Sequence, residues 1–221
     1  MRKMIFSLLS ASAAVLGSTA ALADAPLASG GTATFTGGTG GLGAGETLFA
    51  SFSPGSTGGV SPSMIYTGST SGIAADPAVG GQGDPYLAVL TGQTATFTFT
   101  GGLSQLGLDY GSADAYNSFQ LFFSNGTNQI LSGQNIIDFG TADGDQSAAR
   151  TNGRLTFLAG AGPSITGLTL TSSGNSLEVD NFGITAAVPE PGTWAMMLLG
   201  FGGMGVALRR RRKLTNIAQL A

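Results

Sequence analysis

The sequence predicts an all-β protein: an antiparallel β-sandwich of jelly-roll type, set between an N-terminal signal helix and one short C-terminal transmembrane helix. Three observations predict it. Several segments alternate apolar and polar residues at period two, the pattern of strands with one face in a core. Turn-forming residues separate these segments at short intervals. Glycine is abundant, 37 residues in 221 against a usual share of about 7%, and no stretch of the middle region shows a convincing amphipathic helix.

The chain opens with Arg2 and Lys3, continues through an apolar stretch from Met4 to about Leu16, and reaches the small residues Ala21-Leu22-Ala23. This order is that of a signal peptide. The apolar stretch is short for a membrane span, and Ala21 and Ala23 suit the narrow pockets of signal peptidase, predicting cleavage after Ala23, with Ala25 as the alternative. Residues 24–187 then form the ectodomain, enough chain for one domain with one core. Its first part, 24–45, has glycine at nearly every second or third position and reads as partly flexible.

Within the ectodomain the clearest strand patterns are 95–100, 118–123, 154–158, 167–171 and 176–182, with weaker ones at 32–36, 46–53, 86–90 and 106–110. Ser124-Asn125-Gly126-Thr127 is the strongest turn, because Asn-Gly accepts the positive φ angles of a hairpin. Ser173-Gly174-Asn175 and Asp143-Gly144-Asp145 behave similarly. No fixed short period appears, which argues against a solenoid. Phe97, Phe99, Phe119, Phe122, Phe123 and Phe157 are assigned to or near the core. Phe122 and Phe123 are adjacent and cannot both face inward in a regular strand, so one of them meets a bulge or a partner.

Residues 186–191 read as a linker into the tail. There Pro189-Glu190-Pro191 is followed by Trp194-Ala195, an apolar run to Leu208, and the cluster Arg209, Arg210, Arg211, Arg212 and Lys213. A helix over 194–208 would extend about 22 Å at 1.5 Å per residue, short of the ~30 Å hydrocarbon core. Trp194 can sit at one interface while the arginines snorkel at the other, and the bilayer can thin to meet them. The basic cluster should stay cytoplasmic, with 214–221 as a cytoplasmic tail and everything before Pro189 outside. Gly200, Gly202, Gly203 and Gly205 weaken such a helix by up to ~1 kcal/mol each. That suits a packing face for another membrane helix, or a segment to be unwound by a membrane enzyme, better than a permanent single-pass anchor.

The combined order of Pro189-Glu190-Pro191, Trp194-Ala195, apolar span and arginine stop resembles the PEP-CTERM sorting signal in its Trp-Ala variant. The resemblance implies export across the inner membrane of a Gram-negative, exopolysaccharide-producing bacterium and recognition by an exosortase. Release or transfer to the cell surface or extracellular matrix would follow. The extension 214–221 departs from the pattern, since such signals often end soon after the arginines. The run 107–119, with Gly111-Ser112-Ala113-Asp114-Ala115-Tyr116-Asn117, is similar to a recurring element of PEP-CTERM ectodomains, and 177–182 to their closing strand. This second resemblance implies a sandwich without an assigned activity.

Seven of the nine basic residues lie at the two ends, leaving Arg150 and Arg154 between. Residues 24–188 hold eleven acidic side chains against those two, a net −9, which repels nucleic acid and anionic lipid. Cysteine is absent, so there is no disulfide and no thiolate nucleophile. Histidine is also absent, which removes the commonest general base and metal ligand. An enzyme would have to rest on carboxylates, and Glu46 and Glu178 are the only ectodomain glutamates for glycoside chemistry. Glu178 alternates with Leu177 and Val179, which predicts a solvent-facing position. No catalytic residue is assigned.

Asp109, Asp114 and Asn117 could supply hard oxygen ligands to calcium, as could Asp143 and Asp145, although the spacing is not that of an EF-hand and such residues commonly cap turns. No cofactor is expected, with calcium the one candidate. Tyr66, Tyr86, Tyr110 and Tyr116 could stack on sugar rings or pack at the sandwich edge with hydroxyls in water. The expected function is that of a non-enzymatic exported protein with signal peptidase and exosortase as partners, inserted in the membrane through 194–208 and then associated with exopolysaccharide or biofilm. The alternative is a calcium-dependent carbohydrate-binding module on a single-pass anchor.

Overall fold

In the computed structural model the described residues are 24–137, 141–188 and 191–218. The signal segment with Ala21 and Ala23, and the motif residues Pro189 and Glu190, lie outside them.

One long strand organises the fold. β6 (Thr94–Gly111) runs for 18 residues because two period-two patterns join through Gly101 and Gly102, whose φ angles of 85° and 74° bend the strand without a side-chain clash. Its first half pairs with β10 (Ile165–Ser172), which pairs with β7 (Asn117–Phe123) and through it with β8 (Asn128–Ser132). The second half of β6 pairs on one side with β9 (Gly153–Leu158), then β2 (Thr32–Gly37) and β1 (Asp24–Pro26). On its other side lies β11 (Leu177–Ala186), which also carries β3 (Thr47–Ala50) and β5 (Pro85–Val89), with β4 (Ile65–Thr67) beyond β5. Every pairing is antiparallel. The result is one eleven-stranded sheet curled so that its halves face each other, where two separate sheets were expected; the bend in β6 joins them.

Ring contacts tie the facing halves together. Phe119 of β7 meets Tyr110 of β6 at 5.0 Å between ring centroids and Phe157 of β9 at 6.2 Å. Phe97, from the first half of β6, meets Phe182 of β11 at 4.8 Å. Phe97, Phe99, Phe119, Phe123 and Phe157 are buried, each contributing about 1.5–3 kcal/mol. Phe122 is half-buried, and the register of β10 shifts between Ile165 and Gly167, opposite the Phe122–Phe123 pair. β7 itself alternates regularly, with Phe122 turned outward and Phe123 inward, and the irregularity falls in the neighbouring strand. Ser124–Thr127 closes the β7–β8 hairpin as expected, with the Phe123 N–H donating to the Thr127 carbonyl.

Strands β1, β4 and β8 carried no clear sequence signal. The first two are three residues long, and β8 is largely polar edge strand. β1 and β2 both lie in the glycine-dense stretch 24–45. A single helical turn, α1 (Gly133–Ile136), is closed by a capping box between Ser132 and Asn135.

Candidate functional site

Period two holds in the strands around β6, but both of their faces are covered. Leu106, Leu108 and Tyr110 of β6 and Leu177 and Val179 of β11 point into the core. Glu178 and Asp180 point the other way, opposite Gly111 and Asp109 respectively, and Asp109 in turn faces Arg154 of β9. Asn181, at φ 47°, forms a bulge at which the β11–β6 register shifts. It restores Phe182 to the core and turns its own amide toward Asp109.

The connection between β4 and β5 lies across this outer face. Glu178, expected in solvent, is therefore 2% exposed. Its carboxylate accepts from the Ala75 N–H at 2.9 Å, from the Ser112 hydroxyl at 2.8 Å and from the Ser176 hydroxyl. Strand periodicity turns Glu178 away from the core, but it does not encode the loop that covers the far face.

Beside it sits a buried ion triad. Arg154 Nη1 donates to Asp109 Oδ1 at 3.1 Å and to the Asn181 carbonyl at 2.7 Å, while Nη2 donates to Glu46. Gln105 and the Gly43 N–H also donate to Glu46, and the Gly41 N–H and Asn181 amide to Asp109. Gly107 and Gly183 face each other across β6 and β11. A Cβ on either would stand 2.1 or 2.3 Å from a Glu46 oxygen, so these two glycines clear the space for the triad.

The calcium candidates are thereby dispersed. Asp109 is fully buried and paired with Arg154. Asn117 is buried at the start of β7, its amide bonded on all sides. Asp143 and Asp145 both pair with Arg150, and Asp145 also caps Ser147 and Ala148, whose N–H groups hold its carboxyl below the usual range. Asp114 meets Asp143 across an isolated bridge, and burial, with the Asp143 charge behind it, raises the Asp114 carboxyl. Among the described residues no three carboxylates are set to hold a metal ion.

Asp114, Tyr116, Asp143, Gln146, Asn175 and Glu178 line a polar cleft of about 210 Å³. Tyr86 and Tyr110 are buried, with hydroxyls bonded to Gly68 and Asn117. Tyr66, half-buried, packs against Tyr86. Of the four tyrosines, Tyr116 is the one that lines the cleft.

Burial raises the Glu178 carboxyl despite its three donors. It also pushes Asp180 up to about 7, with the charges of Asp109, Asp84 and Asp76 adding to the effect. Both groups hold their protons more tightly folded than unfolded. Their contribution to stability is therefore fully present below the ordinary carboxylate range of about 4, and for Asp180 is lost as pH rises through about 7. In chelating buffer the melting temperature is expected to fall by several degrees between about pH 5 and pH 7.5, and Asp180→Asn should flatten that slope.

At the other end, α2 (Pro191–Ala218) begins on a proline, which suits the first turn of a helix because it lacks the N–H left unbonded there. Trp194, Met196, Leu199, Phe201, Met204 and Leu208 are all exposed, and space is open around Gly200, Gly202, Gly203 and Gly205. The helix continues through Arg209 to Arg212 and Lys213, past the expected end at Leu208. Its uncharged part, 194–208, is shorter than the roughly 20 residues of a full span, and no described helix is long and apolar enough to cross a membrane. Residues 187–212 match the family model of the PEP-CTERM protein-sorting motif. The tail is a PEP-CTERM sorting signal. It marks an exported, membrane-sorted protein with an exosortase as partner. The match takes in Pro189, Glu190, Pro191, Trp194, Ala195 and the four arginines, with Lys213 one residue beyond. No curated protein matches the chain in a sequence comparison.

Proposed function

We propose that the chain is a non-catalytic surface or extracellular-matrix protein, held at the inner membrane through 194–208 until an exosortase acts on its PEP segment, and then associated with exopolysaccharide or biofilm. The sorting motif at 187–212 carries this reading. Three further features support it. The curled sheet suits a jelly-roll-like sandwich module. The ion triad is consumed in holding strands and loops together. The exposed, glycine-rich apolar stretch of α2 is what a transient membrane segment needs, with arginines to stop it. A second reading, a carbohydrate-binding module on a lasting anchor, draws on the polar cleft beside Tyr116.

In an exosortase-bearing host, mass spectrometry of the mature protein is expected to show a C-terminus lacking Arg209–Ala221, with the protein in the exopolysaccharide fraction. Alanine replacement of Pro189, Glu190 and Pro191 together should leave the full-length form in the inner membrane. A wild-type protein that keeps its arginines there would sink the sorting step; release into the medium apart from polysaccharide would sink the matrix association.

A further inference from the structure

The outer face of the sheet buries more negative charge than its neighbours neutralise. The side chains of Glu46, Asp109, Glu178 and Asp180 all lie there, and Arg154, the cation that touches this group, is paired with Glu46 and Asp109. Glu178 has its three donors. Asp180 differs: it is 3% exposed, and its Oδ1 has no hydrogen-bond partner among the described residues.

The segment above Asp180 is fixed at both ends. At one end the Ala75 N–H donates to Glu178, and Pro77 sits on Gly111, where a Cβ would lie 2.8 Å from Pro77 Cα. At the other, the Gly80 carbonyl accepts from the Asn181 amide at 2.8 Å, and a Cβ on Gly80 would lie 1.9 Å from Asp109 Oδ2. Gly111 and Asp109 are the cross-strand partners of Glu178 and Asp180, so the chain from 75 to 80 passes over Asp180. It carries Asp76 across. Asp76 Oδ2 accepts from the Gly83 N–H at 2.7 Å, and Asp76 Oδ1 is a second buried oxygen without a partner among the described residues. Asp84 closes the segment in an exposed position.

Two buried carboxylate oxygens without donors, one on the loop and one on the strand beneath it, call for a cation once the carboxyls ionise, because an unpaired ionised carboxylate is strongly disfavoured in a covered site. We propose that the 75–84 loop closes over a calcium ion ligated by Asp180 and Asp76, with Asp84 at the loop's exposed end. The donor set is hard oxygen alone, in a chain without histidine or cysteine, which selects calcium or magnesium over transition metals. Calcium accepts the irregular mixture of carboxylates, backbone carbonyls and water that two carboxylates and a glycine-rich loop provide. This site uses none of Asp109, Asp114, Asn117, Asp143 or Asp145, and it does not depend on how the tail is processed.

Thermal melting of the full chain in detergent micelles tests it, first in EDTA and then in calcium at about ten times the titration midpoint. Wild type is expected to melt about 3–6 °C higher with calcium. Asp180→Asn and Asp76→Asn should abolish the shift, while Asp143→Asn keeps it. In EDTA, Asp180→Asn should melt no lower than wild type, which separates loss of a ligand from loss of the fold. Absence of a calcium shift in wild type, or its persistence in Asp180→Asn, overturns the proposal.

Discussion

Replacing Arg154 with alanine is expected to destabilise the ectodomain by about 3–5 kcal/mol, because it strands Glu46 and Asp109 as buried charges with no cation beside them. Against a typical domain stability of about 5–15 kcal/mol, that is a large share, and the melting temperature should fall by about 10 °C or more. The loss would come less from the ion pairs themselves than from the desolvation left unbalanced. Glu46→Gln should therefore cost much less, since the amide oxygen can still accept from the Gly43 N–H. Urea unfolding followed by circular dichroism checks both. An Arg154→Ala variant within about 1 kcal/mol of wild type would show that water reaches the triad and that the layer is not dry.

The signals that were legible in the sequence were local ones. Threonine and phenylalanine alternate in 95–100, and Asn125-Gly126 sits between two apolar runs, so strand and turn follow from neighbours along the chain. The tail was legible for the same reason, as its motif, apolar run and stop stand in one order. What escaped depends on distant partners. Gly101-Gly102 has the look of a turn between two strands, yet it bends a single strand, because β10 and β9 hold its two halves in different directions. Glu178 looked solvated because nothing in 176–182 announces the loop above it. One signal was available and unused: Gly107 and Gly183 interrupt strand patterns, and a glycine inside a strand marks close approach by another group. Here that group is the Glu46–Arg154 pair.

Asn117 shows the same confusion between a polar residue that binds and one that holds a corner, and its replacement by alanine is expected to destabilise the fold by about 2–4 kcal/mol. Its Oδ1 accepts from the Tyr110 hydroxyl at 2.7 Å and from the Asp114 N–H at 2.9 Å. Its Nδ2 donates to the Ser172 hydroxyl at 3.2 Å and to the Ser176 carbonyl at 3.0 Å. Both amide N–H groups and both oxygen lone pairs are thus used, and the four partners come from β6, the β6–β7 turn, β10 and the approach to β11. Alanine leaves the buried Tyr110 hydroxyl and the Ser176 carbonyl without this partner. Tyr110→Phe removes a single donor and should cost only about 1 kcal/mol. In a double-mutant cycle the two losses are expected to overlap, because once Asn117 is gone the Tyr110 hydroxyl is a liability that phenylalanine removes. Strict additivity would place that hydroxyl in water and assign Asn117 a lesser part in joining the four segments.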